Sequence, residues 1–344
     1  MTSPRPPLWR RKGWRVAIPG AVLVALLLLI HAIWSPGLDV TDGRHDLSRN
    51  AMWLQHSWIG ADSWFTDNDR EWKKPLFRSD AKVRELASLC AENGVRDVFP
   101  HLCPTQADGS IMPVNDAQLD RFLDHAPQLR VLPWIGGPLD SDVTPDNAQR
   151  NAKFMASVTA LLKKHPRLAG VHLNVEPWPS GNATMLRFLE ALRKALPKGK
   201  ILSVAAYPPP SRLHPFPEIH WEEAYFRQVA ARCDQMVVMM YDTSLQDPKM
   251  FQWLYAQWTK GVLRWTQGLK TEILFGLATY DDADSGYHNP RAENLESSLR
   301  GLHRGLASFS TLPSQYTGAA IYSEWETDAN EWKIWRSHFA RPKP

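Results

Sequence analysis

Eight short apolar runs alternate with eight longer amphipathic segments along residues 52–339, and this alternation most narrows the folds open to the chain. The apolar runs are Met52–Ile59, Val95–Leu102, Arg130–Ile135, Leu168–Val175, Ile201–Tyr207, Gln235–Tyr241, Glu272–Leu277 and Ala319–Tyr322. Helical spacing fills the intervals at Ser79–Asn93, Asp116–His125, Pro145–His165, Ala183–Leu196, Trp221–Arg232, Pro248–Gln267 and Asn289–Ser308, and again at Asp328–Phe339. Thr144-Pro145-Asp146 reads as a helix cap followed by proline at the first helical position, and Asn93-Gly94 as a helix stop. Strands separated by helices rather than by hairpin turns must lie parallel. Eight such units predict an α/β fold, a closed (β/α)8 barrel over residues 49–341. An open doubly wound sheet competes, but no Gly-x-Gly-x-x-Gly follows the first strand to favour it.

The N-terminal segment obeys different rules. Residues 16–34 carry no charge over nineteen positions, close to the ~20 apolar residues that a helix needs to cross a bilayer. Before them stand Arg5, Arg10, Arg11, Lys12 and Arg15 with no acid, the pattern that stays cytoplasmic. The sequence thus predicts a basic tail (1–15), a single-pass transmembrane signal anchor (16–34) and a linker (35–48). The lipid bilayer would be a partner, and the barrel would face the periplasmic or extracellular side of an inner or plasma membrane. A cleaved signal peptide is the rival reading, and His31-Ala32-Ile33-Trp34-Ser35-Pro36 places bulky residues where a small-x-small site belongs. The net charge of +4 comes from this tail: the other 329 residues hold 35 basic and 36 acidic side chains, so nucleic acid is not an expected partner. Cys90, Cys103 and Cys233 offer neither a disulfide framework nor zinc-ligand spacing, and no metal or cofactor is expected.

In a barrel of this kind functional groups gather where the strands end. Here the ends read Trp134-Ile135-Gly136-Gly137, His172-Leu173-Asn174-Val175-Glu176-Pro177-Trp178, Tyr207, Met239-Met240-Tyr241-Asp242, Thr279-Tyr280 and Tyr322-Ser323-Glu324-Trp325. Aromatic rings stack on the C–H faces of sugars, while carboxylates and phenols bind hydroxyls or move protons. A polysaccharide or oligosaccharide is therefore the expected substrate. His172, Asn174 and Glu176 share one parity, so they line one face of their strand in ascending order. Glu176 at the rim is the candidate general acid.

The order of these motifs resembles glycoside hydrolase family 18, the chitinase-like barrels. Gly170-Val171-His172-Leu173-Asn174-Val175-Glu176 matches the spacing of the family's Asp-Gly-x-Asp-x-Asp-x-Glu, and Glu176 falls on its catalytic acid. Ile135-Gly136-Gly137 is similar to its Ser-x-Gly-Gly, Met239-Met240-Tyr241-Asp242 to its Met-x-Tyr-Asp, and Gly276-Leu277-Ala278-Thr279-Tyr280 to its Gly-x-Pro-x-Tyr. The three signature aspartates are here Ala169, His172 and Asn174, and Tyr322 replaces the floor tryptophan. In the family, the aspartate two before the glutamate orients the N-acetyl group and helps cycle the acid's proton. Asn174 can hydrogen-bond but cannot take up a proton.

The resemblance implies a divergent glycoside hydrolase acting on an envelope or secreted polysaccharide that contains N-acetylhexosamine. Catalytic candidates are Glu176, Asn174, Tyr241 and Asp242; substrate-binding candidates are His172, Trp134, Trp178, Tyr207, Tyr280, Tyr322 and Glu324. Two alternatives stay open: a non-catalytic glycan-binding barrel, and a retaining glycosidase that pairs Glu176 with Glu324. Among sixteen tryptophans, Trp253, Trp258, Trp265, Trp332 and Trp335 fall on helices and read as packing, whereas Trp58 and Trp64 join Trp134 and Trp178 near the cleft.

Overall fold

The computed structural model describes the backbone of residues 8–341 and the side chains of residues 20–341 other than Ala283. The chain divides into two units, Met1–Pro36 and Gly37–Pro344. In the first, helix α1 (Leu8–Ile33) takes in the charge-free run up to its last residue. Among the described residues no helix is long and apolar enough to cross a membrane. The expected span over 16–34 begins on residues whose side chains lie outside the described set, and the structure lends it no support. Residues 1–7 of the basic tail also lie outside the described residues.

The second unit is the barrel. Its strand segments are β1 (Asn50–Leu54), β2 (Val95–Pro100), β3 (Arg130–Val131), β4 (Trp134–Gly137), β5 (Gly170–Val175), β6 (Ile201–Ala206), β7 (Gln235–Val238), β8 (Glu272–Ala278) and β9 (Tyr316–Tyr322). All neighbours pair in parallel, in the order β3-β2-β1-β9-β8-β7-β6-β5-β4. β3 and β4 are two halves of the third barrel strand, parted at Leu132-Pro133 because proline has no N–H to give the ladder. A parallel bridge from His101 to Trp134, with Leu102 N–H donating to the Trp134 carbonyl at 2.7 Å, closes the ring. The eight-stranded barrel is therefore as the alternation foretold. The first strand stops at Leu54, short of the expected Ile59, because a single 3-10 turn at His56–Trp58 follows.

Short helices α2 (Ser63–Asp67) and α3 (Lys74–Phe77) lie in the first loop. The outer ring is α4 (Asp80–Glu92), α5 (Asp116–His125), α6 (Ala148–Lys164), α7 (Ala183–Ala195), α8 (Glu223–Ala230), α9 (Pro248–Trp265), α10 (Leu295–Leu306) and α11 (Ala329–His338). Asn115, Asn147, Asn182, Asp247, Asn294 and Asp328 each cap one of these helices by accepting a backbone N–H, worth about 1 kcal/mol apiece. The cap of α6 is thus Asn147, not Thr144: its Oδ1 takes the Arg150 N–H, and Thr144 instead accepts the Asn147 N–H in the turn before it. Asn93-Gly94 does end α4, with Gly94 at φ +68°.

Two cores result. The larger lies between barrel wall and helices, and there Trp258, Trp332 and Trp335 pack as expected. The smaller fills the barrel itself with Ala51, Trp53, Phe99, Leu132, Trp134, Val237, Leu274 and Ala320. Beneath it, at the strand starts, the interior turns polar. Asp97 is fully buried and takes both Arg130 Nε (2.6 Å) and Nη2 (2.7 Å), together with Gln235 Nε2 (2.7 Å). Glu272 joins this layer through Arg96 and Arg130, each at 2.9 Å.

Residues 37–48, read from sequence as linker, belong to the barrel unit. Leu38 N–H donates to Arg300, the Tyr316 hydroxyl to the His45 carbonyl, and Arg341 N–H to Asp46. The three cysteines are free, with Cys90 and Cys233 buried and Cys103 half-buried.

Candidate active site

β5 presents its three same-parity side chains at three heights. His172, lowest, is fully buried and stacks on Phe99 at 4.0 Å. Trp53 Nε1–H donates to its Nε2 (3.2 Å), which leaves the ring proton on Nδ1 to donate to Ser203 Oγ (2.8 Å). Ser203 in turn donates to Gln235, tying the histidine to the polar layer below. Burial lowers its pKa to about 3, so it is a neutral core residue. The substrate-binding role expected of His172 is corrected: the barrel interior is already closed above it.

One storey up, Asn174 Nδ2 donates to Glu176 Oε1 at 2.7 Å, while Asn174 Oδ1 is buried without a partner. The backbone there is approached so closely that a Cβ on Gly136 would sit 1.9 Å from the Asn174 carbonyl oxygen, which accounts for the Gly136-Gly137 pair at the end of β4. At the rim, Glu176 is solvent-exposed along its length, although protein atoms crowd around its carboxyl. Burial therefore raises its pKa, and the charge of Asp242 adds to the rise. The hydrogen bonds from Asn174 and, at 3.5 Å, from the Tyr207 hydroxyl oppose it.

Glu176 lines a cleft of about 370 Å³ together with Tyr207, Met239, Tyr241 and Asp242. The far wall is apolar and comes from two loops: Phe216 and Ile219 between β6 and α8, and Tyr287 between β8 and α10. Phe216 and Tyr287 are about half exposed, at 48% and 53%. Sequence reasoning missed both. For Phe216 the signal was an aromatic residue isolated between prolines, His214-Pro-Phe-Pro217; Tyr287 carried none.

Trp178 does not reach this cleft. It is fully buried, donates Nε1–H to the Tyr225 hydroxyl at 2.6 Å and packs on Trp221 at 4.8 Å. Trp221 Nε1–H donates to the Trp178 carbonyl, so the pair braces the wall from behind. The substrate contact expected of Trp178 is corrected to packing. Trp58 likewise packs edge-on against Phe77 and Phe122, and Trp64 stacks on His56. Trp134 is nearly buried and, with Trp53, Tyr241 and Tyr280, surrounds Tyr322 at ring distances of 5.4–6.3 Å.

Tyr280 donates its hydroxyl to Asp242 Oδ1. Asp242 itself sits at φ +63°, a left-handed conformation that aspartate tolerates better than most residues. Glu324 is held elsewhere: its Oε2 accepts from Gln55 Nε2 at 3.3 Å, and it does not line the cleft of Glu176. The structure does not bring Glu176 and Glu324 together.

A closed parallel barrel with a carboxyl at the rim of its fourth strand, aromatic residues around it and a second carboxylate nearby is a (β/α)8 barrel of glycosidase-like build. The chain belongs to the glycosyl hydrolases family 18, whose sequence profile matches residues 98–304. Similar solved structures include the C-terminal domain of a putative chitinase from Desulfitobacterium hafniense (16% identity over 84% of this chain and 99% of that one, TM-score 0.54). A chitinase from Chromobacterium violaceum is also similar (13%, 84% and 98%, 0.54). So is the Bacillus cereus spore cortex-lytic enzyme SleL (12%, 85% and 74%, 0.52). At these identities the likeness is one of fold. Among curated proteins the chain matches none.

Proposed function

We propose that this chain is a glycoside hydrolase for a polysaccharide containing N-acetylhexosamine, with Glu176 as the general acid. One observation carries the reading: Glu176 is the carboxyl that faces the cleft and is pushed by its surroundings toward the protonated form. A raised pKa extends to higher pH the range over which a proton is available for the leaving glycosidic oxygen. The free Asn174 Oδ1 is a buried acceptor beside that acid, suited to the N–H of a 2-acetamido group. Held there, the acetamido oxygen attacks the anomeric carbon as Glu176 protonates the departing oxygen. Water then opens the cyclic intermediate with the Glu176 carboxylate as base. The chitinases among the similar folds support the same sugar class.

The second reading, a barrel that binds glycan without cutting it, is favoured by Asn174 standing where the family has an aspartate. Glu176→Gln separates the two. The first reading expects turnover of a chitin-type oligosaccharide by the wild type and a loss of about 10³-fold in the variant, with binding kept. Binding without turnover by the wild type would sink it.

The placement of the barrel outside the cytoplasm, tethered by residues 16–34, rests on the sequence pattern of five basic residues before a charge-free run. Recovery of the full chain in the soluble fraction after cell lysis would overturn the tether.

A further inference from the structure

Behind the cleft, Asp242 from the loop after β7 and Tyr280 and Glu293 from the loop between β8 and α10 meet at His288. Its Nε2 lies 3.0 Å from the Tyr280 carbonyl oxygen. A carbonyl only accepts, so Nε2 carries a proton. Its Nδ1 then faces Asp242 Oδ1 at 3.3 Å and Glu293 Oε2 at 3.8 Å, two further acceptors. A neutral ring would turn a lone pair toward both carboxylates. The ring is fully buried and lies on the face of Tyr280 at 4.1 Å, so it cannot swing away. Glu293 is fully buried as well. The Thr243 N–H donates to its Oε2 at 2.9 Å, while its Oε1 has no partner.

We propose that His288 is a positioning residue: its imidazolium, clamped between Asp242 and Glu293, fixes the Asp242 carboxylate at the edge of the cleft. The groups that face it are Asp242 after β7, Tyr280 after β8 and Glu293 ahead of α10. Burial works against the imidazolium, but the Asp242 and Glu293 carboxyls beside Nδ1 favour it, and the pKa of His288 is raised; burial also pushes Glu293 up to about 7, which the His288 charge opposes. Asp242 is where this matters, because it lines the cleft and its charge adds to the rise of the Glu176 pKa. As pH rises through the His288 pKa, the clamp loses its proton, and Asp242 and Glu293 are left facing a lone pair.

The kinetic consequence rests on the hydrolase reading, but the protonation state does not, so nitrogen-15 NMR of the histidine rings is the first test. The His288 signals, assigned by their loss in His288→Gln, should show both ring nitrogens protonated at neutral pH in the wild-type protein. In Glu293→Gln, which keeps an acceptor for Thr243, the His288 midpoint should fall by about one pH unit, a tenfold loss of proton affinity. KM for the glycan should then begin its alkaline rise about one unit earlier, while in His288→Gln it should be raised and insensitive to pH over that range. A singly protonated His288 at neutral pH in the wild type, or a midpoint unmoved by Glu293→Gln, overturns the proposal. If the protein turns over no glycan, the hydrolase reading falls, and the NMR result alone decides the role of His288.

Discussion

Asn174 gives its side-chain N–H to Glu176 across 2.7 Å and leaves its own carbonyl oxygen buried and unpaired. An aspartate in that place would offer Glu176 no such donor unless protonated, and would add a second negative charge next to it. The asparagine therefore makes the acid easier to ionise than an aspartate would, and what raises the Glu176 pKa is burial helped by Asp242.

The position of the alkaline limb of kcat/KM follows from this arrangement. A general acid works while protonated, so activity falls as pH rises through its pKa. Asp242→Asn removes a nearby negative charge, and the limb should move to lower pH. Asn174→Asp removes a donor and adds a charge, and the limb should move to higher pH. A pH–rate series on the three proteins reads the order directly, whatever the height of each profile.

Stability should depend on Glu176 in the opposite sense to the usual acidic residue. Its folded pKa lies above the unfolded value, so its favourable contribution is complete in acid and is lost as pH rises through the folded pKa. Glu176→Gln removes that loss. The variant should melt at a higher temperature than the wild type near neutrality, with the gap closing in acid. A gap that widens as pH falls would contradict the raised pKa.

The two aromatic residues first in line for sugar contact, one seen in the sequence and one not, should separate cleanly. Trp178→Ala empties a fully buried site and should cost about 3–5 kcal/mol in denaturant unfolding. Phe216→Ala trims a half-exposed side chain and should change stability by no more than about 0.5 kcal/mol, yet raise KM for the glycan several-fold. If Trp178→Ala leaves stability intact and KM alone moves, its assignment to packing is wrong.

These two residues also show what a sequence of this kind discloses. Barrel strands and helices repeat with periods of two and 3.6 residues, so their number, order and most of their ends could be read in advance. Glu176 was legible for the same reason, because parity put it on one face with Asn174 and His172. Parity does not say how high the interior is filled. Trp53 and Phe99, contributed by other strands, close the barrel over His172 and take that residue out of reach. Nor does parity hold past Pro177, where the path of the loop decides that Trp178 turns inward. Phe216, Tyr287 and His288 lie on segments with no period at all, brought to the cleft only by the tertiary fold, and Glu293 sits before a helix whose spacing ran from Asn289 but which starts only at Leu295.

The polar layer at the strand starts makes a fourth expectation. Asp97 is the buried acceptor for Arg130 and Gln235, with Arg96 also at 3.0 Å. Asp97→Asn should cost about 2 kcal/mol by leaving Arg96 and Arg130 with Glu272 as their remaining carboxylate, seen as a lower urea midpoint. The kcat of the folded fraction should be unchanged, since the layer lies at the opposite end from Glu176.

That separation divides the molecule by purpose along one axis. The ions that fasten the strands sit at the floor, a plug of Trp53, Phe99 and Leu274 stands between, and the groups that line the cleft ring the roof. A lineage built this way can revise its diet by redrawing the roof loops, because no residue there is asked to hold the floor.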